Sequence, residues 1–339
     1  MRIVRSLNET TWRRFIAEHS ASNIFHTPEM LQVFARAKGY QPTLWAAVDR
    51  NKHPLALMLP VQVTLVDGPL RWFATRTVAY GSVLCAPGPE GREALGMLLR
   101  TYEQETDKCV LFTELRNLSD LGLVQTVLEE HGFLYEDHLN YLIDLDRPPE
   151  AVLRSFGRRT RKKIRRALRQ GEVRIEEVNR REQVALCNEL LRKSYAAAQV
   201  PLADASLFEA AFDLLHPKGM VKFLLAWIGD DCVAGSAELI HKDTIYGWYG
   251  GVDRGFSSYV PNELLMWHIL RWGAENGYRL YDFGGAGKPD EDYGVRDFKA
   301  KFGGKLVSYG RNACVHAPGR LAISKTGYEA YRILLRYKA

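Results

Sequence analysis

The sequence lacks most of the features that announce common chemistries. Its 339 residues include only five cysteines: Cys85, Cys109, Cys187, Cys232 and Cys314. They are odd in number, scattered and never form CxxC. That excludes a disulfide framework and a cysteine zinc site, and predicts reduced, buried thiols of a cytoplasmic protein. No run of about 18 apolar residues occurs, so no membrane-spanning helix is expected. The opening MRIVRSLNETTWRRF has no continuous apolar segment and does not read as a signal peptide. The nine histidines contain no HExxH and no pair at metal-ligand spacing, so no metal is expected. GxSxG, Walker and GxGxxG motifs are all missing. His268, between Leu264 and Trp272 at helical spacing, reads as a packing residue. His26, before Thr27 and Pro28, reads as a residue that fixes the start of a helix.

One stretch also lacks acid altogether. Between Arg154 and Arg169 stand nine cations and no carboxylate: Arg154, Arg158, Arg159, Arg161, Lys162, Lys163, Arg165, Arg166 and Arg169. Taking these nine from the net charge of +6 leaves the rest of the chain at −3. The basicity is therefore one patch, not a property of the whole surface. Leu153, Phe156, Thr160, Ile164, Ala167 and Leu168 recur at helical spacing, which predicts one connecting helix over 148–172 with its cations facing outward. Arg158, Arg159, Lys162, Lys163 and Arg166 are its candidate polyanion contacts. The patch reads either as a solvated face or as a seat for phosphates. Those phosphates would belong to tRNA, to the diphosphate of a nucleotide- or lipid-linked precursor, or to acidic lipid headgroups.

What is present is ordinary for a folded chain: 46% hydrophobic and 25% charged residues. At this length two domains are expected. The two halves repeat one order: helices, a strand, a short polar turn, more strands, a helix, a strand. The turns are Asp49 to Lys52 and Gly229 to Asp231. Single strands are expected over 55–66, 71–86 and 305–314, and a final helix from Leu321 to Arg336. In YGWYGGVDR, alternation places Tyr246 and Trp248 on one strand face and Tyr249 on the other. Each reads as sheet packing or as a wall for a base, sugar or peptide.

The most informative segment is RLYDFGGAGKPDEDYGVRDFKAKFGG, Arg279 to Gly304. A short strand carrying Asp282 opens into Gly284, Gly285, Ala286 and Gly287, where a substrate can approach bare backbone. A helix follows around Val295 to Phe302 and carries Phe298, Lys299 and Lys301. It stops at Gly303 and Gly304. An ammonium group beside such a loop suits an anion that develops during reaction.

This segment, with SNIFHTPEML, RRTRKKIRRAL, YGWYGGVDR and PNELLMWHILRWGAENGYRLYDFGG, resembles the Fem family over almost the whole chain. These are transferases that attach amino acids from aminoacyl-tRNA to the peptide of a cell-wall precursor. The resemblance implies an α/β fold of two tandem GNAT-like domains, each a mixed, mostly antiparallel sheet flanked by helices. They would span 1–147 and 173–339, joined by the basic helix of 148–172. It implies that Phe298 and Lys299 match the family's Phe-Lys pair, with Lys299 beside the reacting ester. Lys301, two residues on and facing elsewhere on the helix, reads as solvated. Tyr246, Trp248, Tyr249, Arg254, Tyr259, Asp282, Gly284, Gly285 and Gly287 are the candidate substrate contacts. No cofactor would be held permanently. The donor would be aminoacyl-tRNA, and the partner an anionic nucleotide- or lipid-linked envelope precursor met at the inner membrane face.

Two departures matter. Acyl-CoA users of the GNAT fold carry an R/QxxGxG/A loop before the long helix, and RGFSSY (Arg254 to Tyr259) lacks its second glycine. That counts against coenzyme A. Gln199 stands where many family members carry a basic residue for precursor phosphate, which opens the acceptor to other envelope or exopolysaccharide molecules. Two alternatives remain at this point: an acyl-CoA N-acyltransferase, and a non-catalytic module that binds RNA or an acidic membrane.

Overall fold

The computed structural model describes residues 1–64, 68–324 and 326. It divides the chain into two compact units, one of residues 1–137 with 309–339, the other of residues 138–308. The boundaries expected at 147 and 172 thus fall inside the second unit. Residues 309–324 return to the first. Gly310 marks the turn. It has a φ of +68°, and a Cβ there would lie 2.1 Å from the Tyr135 ring. The strand expected over 305–314 therefore breaks into Lys305–Ser308 and Arg311–Val315, which join sheets in different units.

Unit 1 holds a four-stranded sheet (Arg2–Val4, Trp45–Val48, Pro54–Met58, Val83–Cys85) and a six-stranded sheet that includes Thr75–Ala79, Phe112–Arg116 and Arg311–Val315. The strand expected over 55–66 changes sheet at Leu59 and Pro60, since proline cannot donate to a ladder. The one expected over 71–86 splits into Thr75–Ala79 and Val83–Cys85, around Ser82 at φ +65°. His26 does fix a helix start. Its Nδ1 accepts the Asn23 amide, and Thr27 then caps the helix Pro28–Arg36. Residues 318–324 are helical; the rest of the final helix expected up to Arg336 lies outside the described residues, apart from helical residue 326.

Unit 2 carries the site, and its elements are numbered here. The strands are β1 (Leu139–Asp144), β2 (Val173–Glu177), β3 (Val221–Ile228), β4 (Asp231–His241), β5 (Thr244–Val252), β6 (Leu280–Gly285) and β7 (Lys305–Ser308). The helices are α1 (Pro149–Ser155), α2 (Arg158–Gln170), α3 (Arg181–Ala197), α4 (Ala205–Leu215), α5 (Pro261–Glu275) and α6 (Gly294–Ala300). The sheet order is β2-β3-β4-β5-β6-β1-β7. Every neighbouring pair is antiparallel except β5 with β6. The core beneath α5 gathers Ile245, Leu264, Leu265, Trp267, Tyr281 and Phe283.

The basic connector is two helices, not one. Phe156 leaves helical geometry because its ring packs edge-on against Trp267 and Phe302. The Gly157 amide then donates to the Lys301 carbonyl at 2.9 Å, which roots α2 beside the end of α6. Gly303 and Gly304 do more than end a helix. A Cβ on Gly303 would lie 2.0 Å from the Ser155 carbonyl oxygen, and one on Gly304 2.7 Å from that of Leu142.

Candidate active site

β5 and β6 are paired only over Thr244, Ile245 and Tyr246 against Leu280, Tyr281 and Asp282. Beyond Tyr246 the two strands part. Two local features cause this. In β5 a bulge makes Trp248 an extra residue, since Tyr249 pairs with Ala237 but Gly247 pairs with Glu238. In β6 the chain turns left-handed at Gly284, with φ +69°, and again at Gly287, with φ +77°. A Cβ on Gly284 would stand 3.0 Å from the Tyr246 hydroxyl, so backbone and phenol pack directly.

Lys299 reaches into this parting from α6. Its ammonium group donates to the carbonyls of Phe283 at 2.6 Å, Gly285 at 2.8 Å and Gly284 at 3.4 Å. Burial pulls its pKa down to about 8, against the upward effect of Asp282. Asp282 is itself buried and accepts from Asn140 Nδ2 and the Gly284 amide, each at 2.7 Å. Burial raises its carboxyl above the usual range, while Asn140, Gly284 and Lys299 hold it back. The glycine loop is wired by Arg296, which donates to the carbonyls of Ala286, Lys288 and Pro289.

The structure brings together Lys299, Asp282, Gly284, Gly285 and Tyr246, and puts Gly287 in the same loop, where a Cβ would lie 3.0 Å from the Tyr293 ring. Phe298 packs instead on the core, edge-on to Phe302 at 5.1 Å. Lys301 is exposed, as expected. The face assignment of the aromatics is corrected by the bulge. Trp248 and Tyr249 both contact Phe208 of α4, at 5.8 and 4.9 Å between centroids, so alternation fails there. Tyr259 lies apart on the 3-10 turn Arg254–Tyr259, paired with Phe256. Arg254 is exposed on the same turn.

Amides at and just after that turn are already engaged. The Asp253 carboxylate accepts the Gly255 amide at 2.9 Å, the Asp253 carbonyl takes Phe256, and Ser257 takes Val260. On α2, Arg158, Arg159, Lys162, Lys163 and Arg166 are all exposed, while Thr160 and Ile164 are buried. Arg165 pairs with Glu150, and Arg161 donates to the Arg154 carbonyl at 2.6 Å.

Sequence reading missed Asn140, Arg296 and Glu238. Glu238 had a signal, a single carboxylate within the apolar run Val233 to Ile240. Arg296 had none. A charged cluster in unit 1 was also missed: Arg116 and Arg311 hold Glu114 at 2.7 and 3.1 Å, and Arg116 lies 5.0 Å over the Tyr80 ring. Against the upward pull of burial, these guanidinium groups keep the Glu114 carboxyl down at about 2.

Known proteins share this architecture. The acetyltransferase (GNAT) domain family matches residues 154–299. A lipid II:glycine glycyltransferase of Staphylococcus saprophyticus is 24% identical over 258 residues, covering 56% of this chain and 61% of the relative. The chain thus spans about three-fifths of that relative's length. The crystal structure of FemX superposes with a TM-score of 0.70 at 16% identity, covering 93% of this chain and 97% of that one. A tandem GNAT protein from the clavulanic acid biosynthesis pathway gives 0.58 at 11% identity, covering 94% and 99%. The Fem resemblance and the tandem GNAT-like fold read from the motifs are borne out.

Proposed function

We propose that this Fem-like chain transfers an aminoacyl group from aminoacyl-tRNA onto an amine of a lipid- or nucleotide-linked envelope precursor. The observation that carries the proposal is the Lys299 ammonium group, held at the glycine-rich end of β6 where β5 and β6 part. The acceptor amine attacks the ester carbonyl, and a C–N bond forms. The tetrahedral oxyanion then collapses, the C–O ester bond breaks, and the amine proton leaves with the ribose hydroxyl. No serine, cysteine or histidine nucleophile is needed. The ammonium's longest contact, 3.4 Å to Gly284, is the one most readily exchanged for the oxyanion. Tyr246, Trp248, Tyr249, Arg254, Tyr259 and Asp282 would bind or orient the substrates around it.

The turn at Arg254–Tyr259, with its Gly255 and Phe256 amides bonded to Asp253, supports an aminoacyl ester over coenzyme A as donor. Calorimetry checks this directly. Acetyl-CoA is expected to bind weakly and give no acetylated product. Micromolar binding with turnover would replace the tRNA reading by an acyl-CoA one.

The exposed cations of α2, rooted at Lys301 beside the site, support a track for donor or precursor phosphates. Changing Arg158, Arg159, Lys162 and Lys163 together to Gln is expected to weaken binding of charged tRNA and to flatten its salt dependence. The slope of log K against log salt should fall by about 3–4. An unchanged slope would make the patch a solvated face only.

A further inference from the structure

Glu238 lies in β4 with 2% of its surface exposed. Its Oε2 accepts the hydroxyl of Tyr281, on β6, at 3.0 Å. β5 runs between those strands, so the bond crosses over it. It can cross because residue 247 is glycine: a Cβ there would lie 2.5 Å from the Tyr281 hydroxyl oxygen. Gly247 directly follows Tyr246, the last β5 residue paired with β6, and precedes the bulged Trp248. The three residues therefore meet where the two strands separate. Next along β6, Asp282 makes the matching tie to Asn140 of β1.

We infer that Glu238 and Tyr281 form a clasp across β5 that fixes where β5 and β6 diverge, making Glu238 a positioning residue for transfer in the cleft. The link to transfer rests on the proposed reaction; the clasp itself is measurable without turnover. The groups around Glu238 are few. Ser236, two residues before it, also bonds to it, while Tyr246 and Asp282 lie beside Tyr281. Lys222 is its direct cross-strand partner on β3, but that ammonium is committed to Glu177 at 2.6 Å and lies 4.3 Å from the Trp272 ring of α5. His268 on α5 is within reach of Lys222 and Glu177, and Cys187 on α3 senses Glu238.

With no cation among the described residues paired to it, burial pushes the Glu238 carboxyl up to about 7. The folded value is raised, so the stability it contributes is complete below its ordinary 4.5 and is lost as pH rises through about 7. Above that pH the clasp must hold an unpaired buried carboxylate, and the mouth of the cleft loosens.

Amide hydrogen exchange on the full chain tests this, read at residues 247–251 and 283–287 at about pH 5.5 and about pH 8, with intrinsic exchange rates divided out. In the unaltered protein, protection at these residues should fall by about tenfold between the two conditions. Glu238→Gln, which keeps an acceptor for Tyr281 and cannot titrate, should show no such fall. Tyr281→Phe should lose protection at both pH values, with kcat reduced more than KM changes. The same pH-dependent fall in Glu238→Gln would overturn the inference, as would unaltered protection in Tyr281→Phe. If Tyr281→Phe does not fold, the Gln comparison alone decides. A chain that shows the exchange pattern but transfers nothing contradicts the transferase reading and leaves the clasp standing.

Discussion

Lys299→Met is expected to lower the single-turnover transfer rate by about a hundredfold or more, about 3 kcal/mol, with little change in substrate affinity. The reason is that the oxyanion exists only in the transition state, so its stabiliser contributes there and not to the bound substrates. The structure adds a cost that the sequence did not disclose. Lys299 satisfies the carbonyls of Phe283 and Gly285, so its loss should also remove about 1–3 kcal/mol of stability. A pH titration separates the two effects. With a pKa near 8, the ammonium is charged below that value, and the rate should hold there and fall above it. Stability should move the other way. The folded pKa is depressed from 10.5, so the unfolded chain keeps its proton longer and the folded state gains between about 8 and 10.5. Both trends should vanish in Lys299→Met. Lys301→Met, which alters an exposed side chain, should leave the rate intact. Equal losses in both variants would point to general attraction of an anionic substrate.

Gly303→Ala is expected to destabilise unit 2 by about 3 kcal/mol or more. The position has φ +68°, and the added Cβ would sit 2.0 Å from the Ser155 carbonyl oxygen. Neither term can relax separately. Moving Ser155 shifts the Phe156–Gly157 break between α1 and α2, and that break is bonded to Lys301. Gly277→Ala is the control: its φ is +78°, but the space around it is open, so only backbone strain of about 1–2 kcal/mol applies. Denaturant unfolding of the two variants gives the comparison. Equal losses would mean that the close approach at Ser155 yields freely.

Much of the site was legible in the sequence because its chemistry is local. A strand that ends in glycines, followed by a helix with an inward lysine, is written within Arg279 to Gly304, and the structure joins those residues by short hydrogen bonds. The less legible parts depend on non-local contacts. The strand over 305–314 looks continuous until Tyr135 is brought against Gly310. The helix over 148–172 looks continuous until Trp267 and Phe302 capture Phe156. The aromatic faces followed alternation until one extra residue, Trp248, shifted the register. Arg296 braces the glycine loop through carbonyls eight to ten residues back, or seven for Pro289, a pattern that residue type alone does not reveal.

Product analysis tests aminoacyl transfer itself. The full chain is incubated with a mixture of charged tRNAs and with nucleotide- and lipid-linked precursors, and the precursors are read by mass spectrometry. Transfer predicts a precursor heavier by one amino-acid residue, formed through a new amide, and only when charged tRNA is present. Product that forms from acetyl-CoA without tRNA, or no product while the chain still binds tRNA tightly, would contradict it.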